Sequence, residues 1–408
     1  FLYYLKFKII ILLFCSFIYY LVIFKKKFTK EFPLVFFSLI LSFYLLEILS
    51  YTYLRNSNNE QYKENLYNFF ELNKKQKNNL TVFYRNLINV DEKNYLAPLS
   101  GISKRHTILC NENGYFAEYF SDRYGFRNND KVWDEGFDWV LLGDSFVHGS
   151  CVNQNDTIHN HLEKKLSKNI LNLSIVGNSG YTQLGSYLEY LQNYNPKNII
   201  WFYYEGNDFR LNVENIYGNL VAKYLEDNYT QDLINKQNII DKGLDKIFKI
   251  KLKEYKNKKK ISFIKFVNLR LFLNQIFPKL NLVKKNNHLI FKTQPNSEEI
   301  EKLKKIIKKI KLLTSINNQN LYFVYLPSFQ RYFNKERTYD ETYFNKSEII
   351  NILSEDGFKV IDIHYELFSH LKEPLKLFPY KNRKGHYTPN GYELVSNIIQ
   401  KKILTWKK

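Results

Sequence analysis

The 408-residue chain has no methionine, three cysteines and four tryptophans, and glycine and proline are sparse at fifteen and nine. So little Gly and Pro excludes collagen-like and low-complexity architectures, and three Cys cannot staple a chain of this length into a disulfide scaffold. Arginine is scarce as well, at ten against fifty lysines within a net charge of +20. That excess is not gathered into a recognised nucleic-acid module, so it reads as a solvated lysine-rich surface and no nucleic-acid partner is expected. What is abundant is apolar matter. Hydrophobic residues make up 45% and aromatics 17%, which excludes disorder and suits one large domain or two ordinary ones. With Phe1 first and no Met anywhere, an initiator end missing or processed upstream is expected.

Residues 9–24 form an uninterrupted apolar run behind Lys6 and Lys8, and residues 32–54 form a second with one carboxylate, Glu47. Each suits a bilayer, which needs about 20 mostly apolar residues, once 1–5 extend the first run and its lysines snorkel. The loop between them carries Lys25, Lys26, Lys27 and Lys30 and should stay cytoplasmic. Residues 1–55 are therefore expected to be two transmembrane helices in an inner (cytoplasmic) membrane. Everything beyond would be periplasmic or extracytoplasmic, and Glu47 would reach the interface.

Residues 56–135 read as a short helical linker and an irregular cap. After them, strand patterns at 139–142, 170–175, 198–204, 321–326 and 359–363 alternate with helical patterns near 156–166, 183–194, 297–315, 344–354 and 391–403. Such alternation predicts an α/β domain over 136–408, with a mostly parallel sheet covered by helices. Asn296 followed by Glu299 is a capping box for the third helix, whose Ile300, Leu303, Ile307 and Ile310 share one face. A lysine-rich, helix-prone stretch at about 211–295 reads as an insertion over the carboxyl edge of the sheet.

Ligands of open α/β sheets gather at the carboxyl ends of strands. Those ends carry Gly143-Asp144-Ser145-Phe146, the run from Asn172 to Gly177-Asn178, Glu205-Gly206-Asn207-Asp208, and Gly385-His386-Tyr387. Taken alone, each has a plain structural role: Ser145 as a helix cap, Asn207 and Asp208 as turn residues, His386 as a loop residue. Together, in this order, Ser145, Gly177, Asn207 and His386 resemble the four blocks of the SGNH (GDSL-type) hydrolase superfamily. The resemblance covers roughly 138–208 and 320–403. It implies a flavodoxin-like sheet with helices on both faces, Ser145 as nucleophile and His386 as base. It also implies an oxyanion hole made of the Ser145 N–H, the Gly177 N–H and the Asn207 side chain. The rival G-x-S-x-G pattern is absent, since position 147 is Val.

More loosely, the stretch from Tyr124-Gly-Phe-Arg127 through the Ser block is similar to membrane-tethered envelope members, some of which act on polysaccharide O-acyl groups. A membrane-anchored serine esterase or O-acyltransferase acting on an acylated envelope polysaccharide or lipid is the expectation. A catalytically silent fold that binds glycans or serves envelope assembly is the alternative.

One departure keeps that alternative open. Where most of the family has Asp three residues before the His, this chain has Arg383. A backbone carbonyl, Asn382 or Asp362 is left to orient His386. His148 lines the pocket or lies at the surface. His159 and His161, two apart on a helix, face different sides, and no other ligand cluster stands out, so no metal or cofactor is expected. Cys15 falls in the first apolar run, while Cys110 and Cys151 fall in the part placed outside, where a disulfide between them can persist.

Overall fold

A computed structural model describes residues 32–406 apart from 58–61, 76–78, 92–93, 212–214, 265, 277–293, 334–337, 339 and 381–383. The first apolar run, its basic loop, Asn382 and Arg383 lie outside the described residues. The chain divides into two compact units, residues 1–65 with 250–291 and residues 66–249 with 292–408.

In the first unit, the second apolar run forms the helix Phe32–Ser57. It packs on the helix Val267–Ile276, with Phe43 and Tyr44 against Phe266. Among the described residues no helix is long and apolar enough to cross a membrane. Glu47 is fully buried rather than reaching an interface, and it accepts the Leu269 N–H at 2.7 Å.

The second unit opens within the helix Tyr62–Asn73 and continues with a cap that contains strands where irregular chain was expected. In chain order they are β1 (Leu80–Val82), β2 (Ile88–Asn89), β3 (Tyr95–Leu96), β4 (His106–Ile108) and β5 (Glu118–Phe120). β4 runs parallel to β1 and antiparallel to β5, and β2 pairs with β3. At two or three residues each, they are too short to show a period of two.

Five further strands form the main sheet: β6 (Trp139–Leu142), β7 (Ile170–Asn172), β8 (Asn198–Tyr204), β9 (Asn320–Leu326) and β10 (Lys359–Asp362). All pairings are parallel and the order is β10-β9-β8-β6-β7. By first appearance that is 2-1-3-4-5, the flavodoxin-like order. Alternation along each strand feeds two cores. Val140, Leu142, Ile199, Trp201, Phe323 and Tyr325 face one, which also holds Leu184, Ile300, Leu303 and Ile307 from helices Gly180–Tyr190 and Ser297–Ile316. Trp139, Leu141, Ile200, Phe202 and Val324 face the other, with Leu162, Tyr392, Val395 and Ile399 from helices Ile158–Leu166 and Pro389–Trp406. A strand buried on both faces reads as a continuous apolar run, which is why these strands are visible in the sequence. The Asn296–Glu299 capping box forms as its spacing predicts, with both reciprocal bonds at 2.8–2.9 Å.

Candidate active site

β6 is followed by Gly143, where a Cβ would lie 2.5 Å from the Val147 side chain, so only glycine fits this turn. Asp144 then caps the short helix Ser145–His148, its carboxylate accepting the Phe146 N–H at 2.9 Å. Ser145 is the first residue of that helix, so its own N–H has no intrahelical acceptor. Phe146 packs between Tyr204 and His386, with ring centroids 4.0 and 4.9 Å away.

The Ser145 hydroxyl donates to His386 Nε2 at 2.9 Å, whereas its other acceptor, Asp144 Oδ2, is 3.5 Å away. On the far side of the imidazole stands Glu112. Its carboxylate oxygens lie 3.2 Å from His386 Nδ1, and Oε2 accepts the His386 backbone N–H at 2.7 Å. A carboxylate facing Nδ1 keeps the ring proton there and leaves Nε2 as the acceptor for the serine. Serine, imidazole and carboxylate thus stand in the serial arrangement that a serine nucleophile requires.

Burial acts to lower the His386 pKa, but the Glu112 charge and hydrogen bond, together with Asp144, raise it above the ordinary imidazole value. Asp144 itself is pushed up to about 6, chiefly by burial. Asp208 lies well above the carboxylate range through burial and the Asp144 charge, and it accepts the Tyr204 N–H and the Gln183 side-chain amide.

The carboxylate comes from a place sequence reasoning overlooked. Glu112 sits on the loop joining β4 and β5, where Asn111 Oδ1 accepts the Gly114 N–H and Leu109 pairs with Ala117. The sequence holds one usable signal: Glu112 lies two residues after Cys110, and a bridge from Cys110 to Cys151 delivers it to the neighbourhood of Ser145. That bridge is present, with Cα atoms 4.8 Å apart, and Cys151 Sγ lies 3.8 Å from His386 Nδ1. Asn113 adds a bond to the Cys151 carbonyl at 3.0 Å. Buried Arg127 donates to the carbonyls of Gly149 at 2.6 Å and Val152 at 3.0 Å, holding both flanks of Cys151.

Of the other candidate orienting groups, Asp362 serves elsewhere. It caps the helix Ile363–Glu366 and pairs with Lys346 at 2.7 Å, so it does not orient His386. His148 neither lines the pocket nor reaches the surface. It is fully buried against Phe83 and Tyr119, and burial followed by the charges of Arg127 and His386 keeps it neutral. Glu112, Cys151 and His386 do bring potential metal donors within 4.8 Å of one another. The sulfur is tied up in the disulfide, so it offers no thiolate, and the other two face each other.

Gly177 and Asn207 line one pocket. Gly177 has φ +78°, a left-handed turn that favours glycine, and Asn178 Nδ2 donates to the Gly143 carbonyl at 3.3 Å, tying this turn to the end of β6. Asn207 stands on a turn anchored by Glu205, which accepts from Tyr325 Oη, the Ser328 N–H and Arg331 in a fully buried ion pair at 2.7 Å. Asn207 Oδ1 is buried and has no hydrogen-bond partner among the described residues.

No protein-family model matches the chain, and no curated protein matches it. Among solved structures, the chain is similar to a protein described as lipolytic, of the G-D-S-L family, from Desulfitobacterium hafniense DCB-2. Identity is 13% and the TM-score 0.34, over 65% of this chain and 99% of that one. It is also similar to the psychrotrophic esterase EstA from Pseudoalteromonas sp., at 11% identity and a TM-score of 0.31, over 66% of this chain and 97% of that one. Likeness at this level carries nothing about the reaction, which rests on the site geometry.

The disulfide offers a direct check on how the carboxylate is held. The bridge closes a separation of 41 residues, so cutting it should cost about 4 kcal/mol on loop-entropy grounds. It should also free the Glu112 loop. Reduced protein and Cys151→Ser are expected to melt lower and to lose at least about tenfold in ester kcat, by the logic that a displaced orienting group costs catalysis. Thermal melts and initial rates with and without a phosphine reductant measure both, and unchanged kcat in reduced, folded protein would show that Glu112 is held without the bridge.

Proposed function

We propose that this chain is a serine esterase or O-acyltransferase that works through an acyl-enzyme on Ser145. The observation that carries this reading is the continuous contact from Ser145 Oγ through His386 to the Glu112 carboxylate. In the first half-reaction Ser145 Oγ attacks the ester carbonyl while His386 Nε2 takes its proton. Glu112 stabilises the imidazolium, and the proton then passes to the departing alkoxide. In the second half-reaction His386 deprotonates water or an acceptor hydroxyl, which releases the acyl group. The Ser145 N–H, the Gly177 N–H and the Asn207 amide are assigned to the oxyanion. Labelling of the full chain by a fluorophosphonate probe, with turnover of short-chain aryl esters, tests the reading. No labelling and no turnover would sink it.

The substrate class belongs to the same proposal: an acylated envelope polysaccharide or lipid, met by a domain held outside an inner membrane. The apolar run at 9–24, behind Lys6 and Lys8 and ahead of a lysine-rich loop, supports the anchor, and a disulfide suits an oxidising compartment. The silent-binder alternative drew its support from the missing Asp at position 383, and Glu112 supplies a carboxylate by another route.

Asn207→Ala is expected to lower kcat by about 10²- to 10³-fold with little change in KM, the usual cost of one oxyanion donor. Steady-state kinetics on an aryl ester reads this, and an unchanged kcat would remove Asn207 from the site.

A further inference from the structure

Among the segments that follow β9 and β10 lies a cavity of about 780 Å³. Its wall takes Tyr332 from the helix Phe329–Phe333, Phe368 from the turn Phe368–His370, and Leu371, Leu375, Phe378 and Pro379 from the chain leading to His386. Ligand cavities of this size are mainly apolar with a few polar groups, and the described wall has that make-up, with exposed Lys372 and Lys376 among its polar members. The proton relay uses none of these side chains.

The rings of this wall continue to the catalytic residues. Tyr332 stacks on Phe368 with centroids 5.0 Å apart, Phe368 lies 5.8 Å from Phe378, and Phe378 lies 5.3 Å from Tyr387. Tyr387, fully buried, then meets Phe146 at 4.8 Å, and Phe146 meets His386 at 4.9 Å. The backbone repeats the connection. The Pro379 ring lies so near Gly385 that a Cβ there would stand 2.8 Å from it, and Tyr380 Oη donates to the Asn111 carbonyl, one residue from Glu112. The segment 378–380 therefore touches the cavity and both of the loops that carry His386 and Glu112.

We propose that this cavity receives the acyl chain of the ester whose carbonyl Ser145 attacks, and that the substrate's acyl group is longer than acetyl. An acetyl group has no methylene to bury there, whereas each buried methylene of a longer chain favours binding by about fourfold. Ring faces and leucine side chains give hydrocarbon contact without a fixed register, so the cavity selects for length. The inference rests on the esterase reading and adds the nature of the transferred group to it.

The test is a chain-length series on the full chain: 4-nitrophenyl acetate, hexanoate and decanoate, each below its micelle-forming concentration. kcat/KM is expected to rise along the series, with decanoate about 100-fold or more above acetate. Leu371→Trp and Leu375→Trp each narrow the cavity from a half-buried position outside the proton relay. Each is expected to cut the decanoate-to-acetate ratio by about tenfold or more. Because the ratio is taken within one protein, a fall in the folded fraction cancels from it, and the second position serves should the first fail to fold. A flat series, or a ratio that both variants leave intact, overturns the proposal. A separate arm follows binding of decyl 4-nitrophenyl ether, which has no ester to cleave, by ligand-observed NMR, and both variants should weaken it by about tenfold or more. Failure of the esterase reading would appear as absent labelling and turnover in wild-type protein that still binds the ether in this variant-sensitive way. No binding of the ether, or binding that both variants leave intact, overturns the cavity as the chain site.

Discussion

Ser145→Ala is expected to remove both ester turnover and fluorophosphonate labelling while the protein stays folded. The hydroxyl makes one contact that matters chemically, its 2.9 Å bond to His386, and the residue is a helix-start position at 7% exposure that alanine can occupy. The size of the effect follows from what is lost. Without the oxygen there is no acyl-enzyme, and what remains is whatever polarisation the oxyanion donors give to attack by water, so a fall of about 10⁴-fold or more in kcat is expected. Intact-mass analysis after probe treatment, circular dichroism and initial rates check the three parts of this claim. Turnover above a hundredth of wild type would place the nucleophile elsewhere.

The second large effect concerns Glu112→Gln, which keeps size and shape but removes the charge. An amide facing Nδ1 can present either its oxygen or its NH₂, and the latter favours the tautomer with the proton on Nε2, where it cannot accept from serine. In serine enzymes of known mechanism the equivalent change lowers kcat by about 10⁴-fold. The pH profile separates this role from a merely structural one. His386 acts as a base only when neutral, so kcat/KM in the wild type should fall as pH drops through a pKa raised above the usual imidazole value of about 6.5. Removing the Glu112 charge takes away the main influence raising that pKa and leaves burial to lower it. The acid limb of the variant's residual activity should therefore move to lower pH. A variant with wild-type kcat and an unmoved limb would leave Glu112 as a scaffold residue, and His386 oriented by something else.

What the sequence made legible follows from periodicity and local chemistry. Strands β6, β8 and β9 are doubly buried apolar runs, the capping box at Asn296 is a local pattern, and Ser145, Gly177 and Asn207 follow strands at the edge where an α/β sheet gathers its ligands, with His386 in the loop before the last helix. The cap strands escaped because two or three residues cannot display alternation. Glu112 escaped for another reason. It is 33 residues before Ser145 and 274 before His386, in a loop with no periodicity, and only long-range folding brings it to the imidazole. A search for the orienting group near His386 in sequence finds Asp362, which instead caps a helix and holds Lys346.

That the carboxylate rides on the β4–β5 loop has a consequence for how the molecule can be divided. A fragment cut to begin at residue 136 would keep the five-stranded sheet, one of its two cores and the blocks that carry Ser145, Gly177, Asn207 and His386, and by pattern would look complete. It would nevertheless lack both the acid and the partner for Cys151, because each lies in the segment before the first long strand. The cap is therefore an organ of the chemistry and not a detachable cover. Swapping it for the cap of another protein would exchange part of the proton relay, so the surface that meets substrate and the strength of the base cannot be altered independently in this chain.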